Sequence, residues 1–310
     1  MNCPDCGKNE NTIKNGIRST NKGTVQKYYC RSCQTHFSDS NKPYTQYPEH
    51  VILYTLEQYN LGHTVKEAKT LTGRKYKYSP PTRTIYSWIK KYKETLSFLR
   101  LRKRFDIQPD NIITTQLLDH LQVYPFKYHN LKMHLAAKQF PQLRRYISWV
   151  ERSLPDKIFL KGPRASSTET NHADHHDLKE KDTIASELSE LALTTRKTSE
   201  SPHEAVERFF LRNDSKTICS ELPVFLKDEE TDLVNIETPL TGHIDLIQER
   251  FGKIYIMDYK SNLNRPKNHI SQLLLYKEAL HNRTSIPKRK IVPVVFNEHS
   301  YYEFTRNKSS

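Results

Sequence analysis

Apolar and polar positions repeat with two different periods along this chain, and each change of period marks a segment. His243–Gln248 alternates apolar and polar residues, Glu249–Lys253 is turn-like around a glycine, and Ile254–Lys260 is again rich in β-formers. That order predicts a β-hairpin. A turn centred on Phe251-Gly252 places Asp245 across from Asp258, and Asp258 and Lys260, two apart on a strand, share a face. Upstream, Asp182–Leu193 and His203–Leu211 show helical spacing, with His203 and Glu207 four apart on one face. Glu221–Leu226 reads as a strand before an acidic loop at Asp228–Asp232. Downstream, Asn268–His281 reads as an amphipathic helix with Gln272 and Tyr276 on one face, and Ile291–Phe296 as a last strand after the basic turn Lys288–Lys290.

The first half of the chain has the longer period. Val51, Ile52, Tyr54, Leu56 and Tyr59 recur at helical spacing up to Leu61-Gly62. Thr64 caps a second helix, Val65–Leu71, with Glu67 completing a capping box and Gly73 as its punctuation. After Ser79-Pro80-Pro81 a third helix carries Ile85, Trp88, Ile89 and Tyr92 inward and Arg83, Lys90, Lys91 and Lys93 elsewhere. Leu96–Phe159 reads as mostly helical, with basic clusters at Arg100–Arg104 and Arg144-Arg145. Asn41–Pro48 is a connector rich in proline and tyrosine. Gly162–Lys181 is a polar linker whose His172, His175 and His176 offer a less favoured metal site.

Charge then names a class of partner. The 310 residues carry a formal net charge of +14 with a pI near 9.4, which points to a polyanion, and nucleic acid is the usual one. No apolar run approaches the length that spans a bilayer, and the N-terminus lacks a signal peptide's apolar core. A cytoplasmic, nucleoid-associated protein is expected, with reduced or metal-bound cysteines. Four of the five cysteines form Cys3-x-x-Cys6 and Cys30-x-x-Cys33. Two such pairs joined by a hairpin between Thr12 and Tyr29 present four sulfurs to one tetrahedral Zn²⁺, a closed and therefore structural site. Cys219 stands alone in an apolar run and reads as a core residue.

Around that site, Cys3-Pro4-Asp5-Cys6, Lys14-Asn15-Gly16, Gln26–Cys33 and Phe37 resemble the zinc ribbon at the head of many bacterial and archaeal transposases. The three helices that follow resemble the helix-turn-helix of the same proteins, although the turn before the third is long. A plain three-helix packing module is the alternative. The resemblance implies DNA or protein contact and no chemistry. The spaced acidic triad of the common transposases is missing.

The hairpin supplies chemistry. Two carboxylates and an ammonium converging on one side of apolar strands are costly to bury unless they bind something. Oxygen donors at that position suit Mg²⁺ or Mn²⁺, which polarises a phosphoryl oxygen and acidifies an attacking water. For an isolated Asp-x-Lys, a solvated ion pair is the plainer reading. Here His203-x-x-x-Glu207, Glu221-Leu-Pro-Val, Gly242-x-x-Asp245, Asp258-Tyr259-Lys260 and Gln272-x-x-x-Tyr276 follow one another in an order that resembles the RecB-type branch of the PD-(D/E)XK nucleases, over residues 185–297. The resemblance implies that His203, Asp245, Asp258 and the Tyr259 carbonyl ligate the catalytic metal. It implies that Lys260 is the catalytic lysine and that Gln272 and Tyr276 lie along DNA and orient the site. It also implies that Glu221 belongs to the catalytic set. The late cysteines of iron–sulfur relatives and a helicase's nucleotide loop are both missing, so any unwinding motor or recombination partner would be a separate protein.

The expectation is a multidomain chain. It comprises a zinc ribbon (1–40), a helix-turn-helix-like region (41–95), a helical region (96–160), a polar linker (161–182) and an α/β restriction-endonuclease-like domain with a mixed central sheet (183–306). The expected activity is Mg²⁺- or Mn²⁺-dependent hydrolysis of DNA in repair, recombination or mobile-element processing. A non-catalytic DNA-binding transcription factor or transposase-derived protein, and a structure-specific resolving enzyme, are the competing functions.

Overall fold

The structure is a computed structural model that describes residues 1–20, 23–38, 47–170 and 176–306. The chain forms two compact units, Met1–Val51 and Ile52–Ser310. In the first, β1 (Thr12–Thr20), β2 (Gly23–Cys30) and β3 (Thr35–Ser38) make an antiparallel sheet in that order. Its core consists of little more than Cys3, Cys30 and Phe37, with the Tyr28 ring stacked 5.5 Å from Phe37. So small an apolar core cannot offset the entropy of ordering the segment. Most of the connector at Asn41–Pro48, and His172 and His175 of the polar linker, lie outside the described residues.

The second unit begins with helices. α1 (Glu49–Asn60) is followed by α2 (Val65–Tyr76), which starts with the expected Thr64–Glu67 capping box. α2 does not stop at Gly73. It runs to Tyr76 and ends where Lys77 takes a left-handed conformation and donates its N–H to the Gly73 carbonyl. α3 (Thr82–Lys91) buries Ile85, Trp88 and Ile89 and leaves Arg83, Tyr86, Lys90 and Lys91 in solvent.

The expectation of a mostly helical Leu96–Phe159 fails in its middle. Helices are confined to α4 (Phe98–Arg102), α5 (Asn130–Ala136), α6 (Pro141–Ser153) and single turns, whereas β4 (Ile113–His120) and β5 (Gln122–His129) form a hairpin. β4 is the outer strand of the sheet, and one face of its hairpin with β5 carries exposed Leu117 and Val123, so the alternation that signals a strand is blurred. The polar linker is also partly structured, because β6 (His176–Glu180) pairs with the last strand. Most of the segment expected at 41–95, from residue 52 on, and the segments expected at 96–160 and 183–306 fall inside the one compact unit.

α7 (Ile184–Thr194) and α8 (Pro202–Asn213) come next, the latter opened by a Ser201–Glu204 capping box. Then follow β7 (Thr217–Leu226), β8 (Leu240–Arg250), β9 (Lys253–Tyr259), α9 (Ile270–Thr284), β10 (Ile291–Phe296) and β11 (Tyr301–Arg306). Among the described residues these complete an eight-stranded sheet of order β4-β5-β7-β8-β9-β10-β11-β6. It is mixed, because β10 runs parallel to β9 while the other neighbours are antiparallel. The central strands are buried along almost their whole length, consistent with cover on both faces. α1 is bound to α8 by polar contacts: Glu57 pairs with Arg208 at 2.8 Å and with Arg212 at 2.5 Å, and Asn60 donates to Asn213. No helix among the described residues is long and apolar enough to cross a membrane.

Candidate active site

The β8–β9 hairpin turns on Phe251 and Gly252, both at positive φ (52° and 68°), a pair suited to a tight two-residue turn. Its register pairs Arg250 with Lys253 and Leu246 with Met257, and one more step sets Asp245 opposite Asp258. On the other side of β8, Glu221 of β7 lies between the pairs Ser220–Leu246 and Leu222–Ile244 and so stands across from Asp245. Glu221 is held at φ 54°, a left-handed conformation unusual for a non-glycine residue inside a strand. Three neighbouring central strands thus deliver three carboxylates to one level of the sheet.

α8 supplies a fourth carboxylate and an imidazole. His203 Nε2 lies 2.9 Å from Glu207, 3.4 Å from Asp245 and 3.9 Å from Glu221. Lys260, just past the end of β9, brings its ammonium to 2.9 Å from Asp258 Oδ2. The Tyr259 N–H donates to Asp245 Oδ2 at 2.8 Å, which fixes that carboxylate from the backbone. Gln272 on α9 donates to Asp258 Oδ1 at 3.1 Å and to the Tyr276 hydroxyl at 3.2 Å. Gln272 and Tyr276 are therefore buried against the carboxylates and not a solvent-facing pair.

Gly242 is explained by the same packing. A Cβ at this position would run into the ring of Tyr276, so only glycine lets α9 approach β8 closely enough for Gln272 to reach Asp258. The rim on this side is the segment 163–170. Its Pro163 carbonyl accepts from the Thr241 N–H, Arg164 bridges to Thr241, and the Thr170 N–H donates to Ser271, the neighbour of Gln272.

The electrostatics show too much negative charge in too dry a place. Burial, with Glu207 and Asp245 adding to it, pushes Glu221 up to about 9. Burial and Asp245 push Asp258 up to about 7, despite Lys260. Asp245 alone is held low, since His203, Lys260 and the Tyr259 N–H outweigh its burial. Asp245 in turn, followed by Glu207, drives His203 up to about 12 against the effect of burial. Four carboxylates face only two cations, an excess that favours protons on Glu207, Glu221 and Asp258. Asp258 Oδ2 and Glu207 Oε1 are buried and accept no hydrogen bond of good geometry.

A divalent cation would do the same neutralisation without protons, and a histidine facing carboxylates is a fitting donor set for one. The residues thus fit a hard metal ion. His203, Glu207 and Glu221 offer donor atoms within 4.8 Å of one another, with Asp245 against His203. Glu207 is the member that site selection from the sequence missed, although its i,i+4 spacing from His203 signals it.

The cysteines converge as well. The sulfurs of Cys3, Cys6, Cys30 and Cys33 lie within 4.8 Å of one another, and Cys6 and Cys30 are 3.9 Å apart. That matches the edge of a tetrahedron with metal–sulfur bonds of about 2.3 Å, roughly 3.8 Å. The Cys33 backbone N–H chiefly draws Cys30 down to about 7, while the Cys6 sulfur chiefly holds Cys33 up at about 12. Cys219 is a fully buried core residue whose thiol is pushed up by burial.

Comparisons with curated proteins and with solved structures found no match. A family model, described as the PD-(D/E)XK nuclease superfamily, matches residues 127–306. That span takes in β7, β8, β9, α8 and α9, every element that carries the carboxylate cluster. On that match, which covers more than half its length, the chain belongs to the PD-(D/E)XK nuclease superfamily.

Proposed function

We propose that the chain is a metal-dependent DNA nuclease of the RecB-type branch that hydrolyses phosphodiester bonds, using Mg²⁺ or Mn²⁺ at the β8–β9 cluster. Superfamily membership implies nuclease-type phosphodiester hydrolysis. The observation that carries the finer reading is the convergence of His203, Glu221, Asp245 and Asp258 with Lys260, in a pocket whose carboxylates outnumber its cations.

His203, Asp245 and Asp258 would hold the ion with the Tyr259 carbonyl, and Glu207 and Glu221 border them. When bound, such a cation supplies charge neutralisation at a phosphoryl oxygen and acidifies a nearby water. Lys260, only partly buried and paired with Asp258, orients the attacking water and offsets charge developing on the phosphate. Gln272 fixes the rotamer of Asp258, and Tyr276 fixes Gln272. In the first unit the four cysteines would hold a structural Zn²⁺ as a zinc ribbon. That ribbon and the basic exposed face of α3, with Arg83, Lys90 and Lys91, are the features that favour DNA as the polymer and suggest targeting by the N-terminal region.

The test is cleavage of end-labelled linear and circular DNA with Mg²⁺ or Mn²⁺, run beside Asp258→Ala and Lys260→Ala. Each variant should lose roughly 100-fold or more in rate while binding DNA nearly as well as the parent. Wild-type activity in Lys260→Ala, or cleavage that persists in excess chelator, would overturn the reading. DNA binding without cleavage under any divalent cation would favour a non-catalytic DNA-binding protein.

A further inference from the structure

Two residues along β8 from Asp245, a second polar cluster has no part in the cluster just described. Arg164 donates from Nη2 to the Tyr124 hydroxyl at 2.6 Å and lies 3.3 Å from His243 Nδ1. His243 stacks on the Tyr124 ring, 3.7 Å between centroids and 8° between planes. His243 Nε2 is 2.8 Å from His120 Nδ1, and His120 Nε2 is 3.2 Å from Asp156.

The direction of these hydrogen bonds is forced. A guanidinium can only donate, so His243 Nδ1 accepts and its proton sits on Nε2. His120 Nδ1 must then accept, and its own Nε2–H donates to Asp156. Both imidazoles are buried, His120 at 0% and His243 at 5% exposed. Arg164 is therefore propped by two acceptors, the Tyr124 hydroxyl and the His243 ring nitrogen. Among the described residues no carboxylate forms an ion pair with it, whereas Lys260 and His203 next door are both matched by acids. An arginine held by Tyr124 and His243, partly open to solvent and with no ion-pair partner among the described residues, is prepared for an anion from outside.

Its position says which anion. His243 and Asp245 lie on the same face of β8, and a two-residue step along a strand is about 6.7 Å, comparable to the separation of neighbouring phosphates in a nucleic-acid strand. Arg164 is fixed at that step by its backbone bridge to Thr241, and its carbonyl accepts from Ser167 and Thr168. We infer that Arg164 is a positioning residue of the nuclease, binding the phosphate adjacent to the scissile one, with Tyr124 and His243 setting its guanidinium. The inference rests on the nuclease reading for the word scissile, but the phosphate contact itself is measurable without cleavage.

Two measurements test it. In the first, binding of a fluorescein-labelled DNA duplex is followed by anisotropy across a salt series in Ca²⁺, with Arg164→Ala, Arg164→Lys and Tyr124→Phe. Arg164→Ala should flatten the slope of log K against log salt by about 0.9, the release of one counterion. Arg164→Lys should restore the slope with weaker binding, and Tyr124→Phe should weaken binding with the slope intact. In the second, duplexes carry a single neutral methylphosphonate at successive positions, and cleavage in Mg²⁺ is scored. The parent should be slowed at the position adjacent to the cut, and Arg164→Ala should have lost that sensitivity while remaining slow overall.

An Arg164→Ala slope identical to the parent's would overturn the inference whether or not the protein cleaves, as would an unchanged methylphosphonate profile. Absence of cleavage by the parent, with the slope change present, would overturn the nuclease reading and leave the phosphate contact standing. Thermal melting of each variant separates a folding defect from a lost contact, and a folded Tyr124→Phe with parental binding would remove Tyr124 from the assignment.

Discussion

Gly242→Ala isolates one contact that the active-site geometry depends on. Gly242 does not have a positive φ, so alanine meets no backbone penalty there, and by lowering the entropy of the unfolded chain it should stabilise by about 0.4–1 kcal/mol. Against this stands the ring of Tyr276. The added Cβ would clash with Cε1 and lie 3.0 Å from both Cζ and the hydroxyl oxygen. Tyr276 is 4% exposed, sits on α9 and accepts from Gln272, so its ring has little room to swing away. Overpacking of this kind costs about 1–3 kcal/mol. The net expectation is a destabilisation of about 1–2 kcal/mol, a fall in melting temperature of about 2–8 °C for a unit of this size. Displacement of Tyr276 should also loosen the Gln272–Asp258 hydrogen bond, so the rate of cleavage should fall more than DNA affinity does. In a Tyr276→Ala background the clash is absent, and there Gly242→Ala should be neutral or stabilising. Equal effects in both backgrounds, by denaturant unfolding, would refute the close-packing account of this glycine.

Three further expectations concern other parts of the chain. Lys132 is fully buried with its ammonium donating to the Leu211 and Asp214 carbonyls, and burial lowers it from 10.5 to about 7. Between those values the unfolded chain binds a proton that the folded one does not, so stability should rise with pH from about 7 to about 10.5. Lys132→Met should remove that part of the slope in a pH series of denaturant melts, and an unchanged slope would count against it. Glu57→Ala leaves Arg208, 9% exposed, without one of its two acidic partners and Arg212 without its only ion pair among the described residues. A loss of about 3 kcal/mol is expected by chemical denaturation, and a loss under about 0.5 kcal/mol, the usual effect of a surface change, would mean that α1 does not lean on these charges. Cys6→Ser should reduce the zinc content, measured by elemental mass spectrometry on the purified protein, from about one ion per chain to nearly none. Zinc retained at full stoichiometry would exclude the four-sulfur site.

The parts of the site visible in the sequence are those where local rules and chemistry agree. Phe251-Gly252 fixed the hairpin register because a two-residue turn leaves no other pairing, and the register alone brings Asp245 and Asp258 together. His203 and Glu207 were readable as one helical face. What stayed hidden depends on contacts between distant segments. Glu221 reaches the cluster from a left-handed kink that no residue preference announces. The β4–β5 hairpin reverses at Leu121, φ 70°, with no glycine or asparagine to mark it, and its outer face bears Leu117 and Val123 where polar residues would signal a strand. β6 carries the polar composition of a linker because it sits at the sheet's far edge. Arg164 lies in that supposed linker and finds its place only through Thr241 and Tyr124.

The placement of β5 beside β7 has a consequence for how far this chain can be divided. A fragment beginning at residue 183 would keep His203, Glu221, Asp245, Asp258 and Lys260, yet it would strip β5 from one side of β7 and β6 from the free side of β11. A strand built for the interior, with nearly every residue buried, would then present its backbone to any neighbouring chain. The residues of the carboxylate cluster all lie after residue 200, but the sheet that carries them is completed by residues donated much earlier. A piece of the chain that keeps this sheet whole must therefore reach back at least to β4.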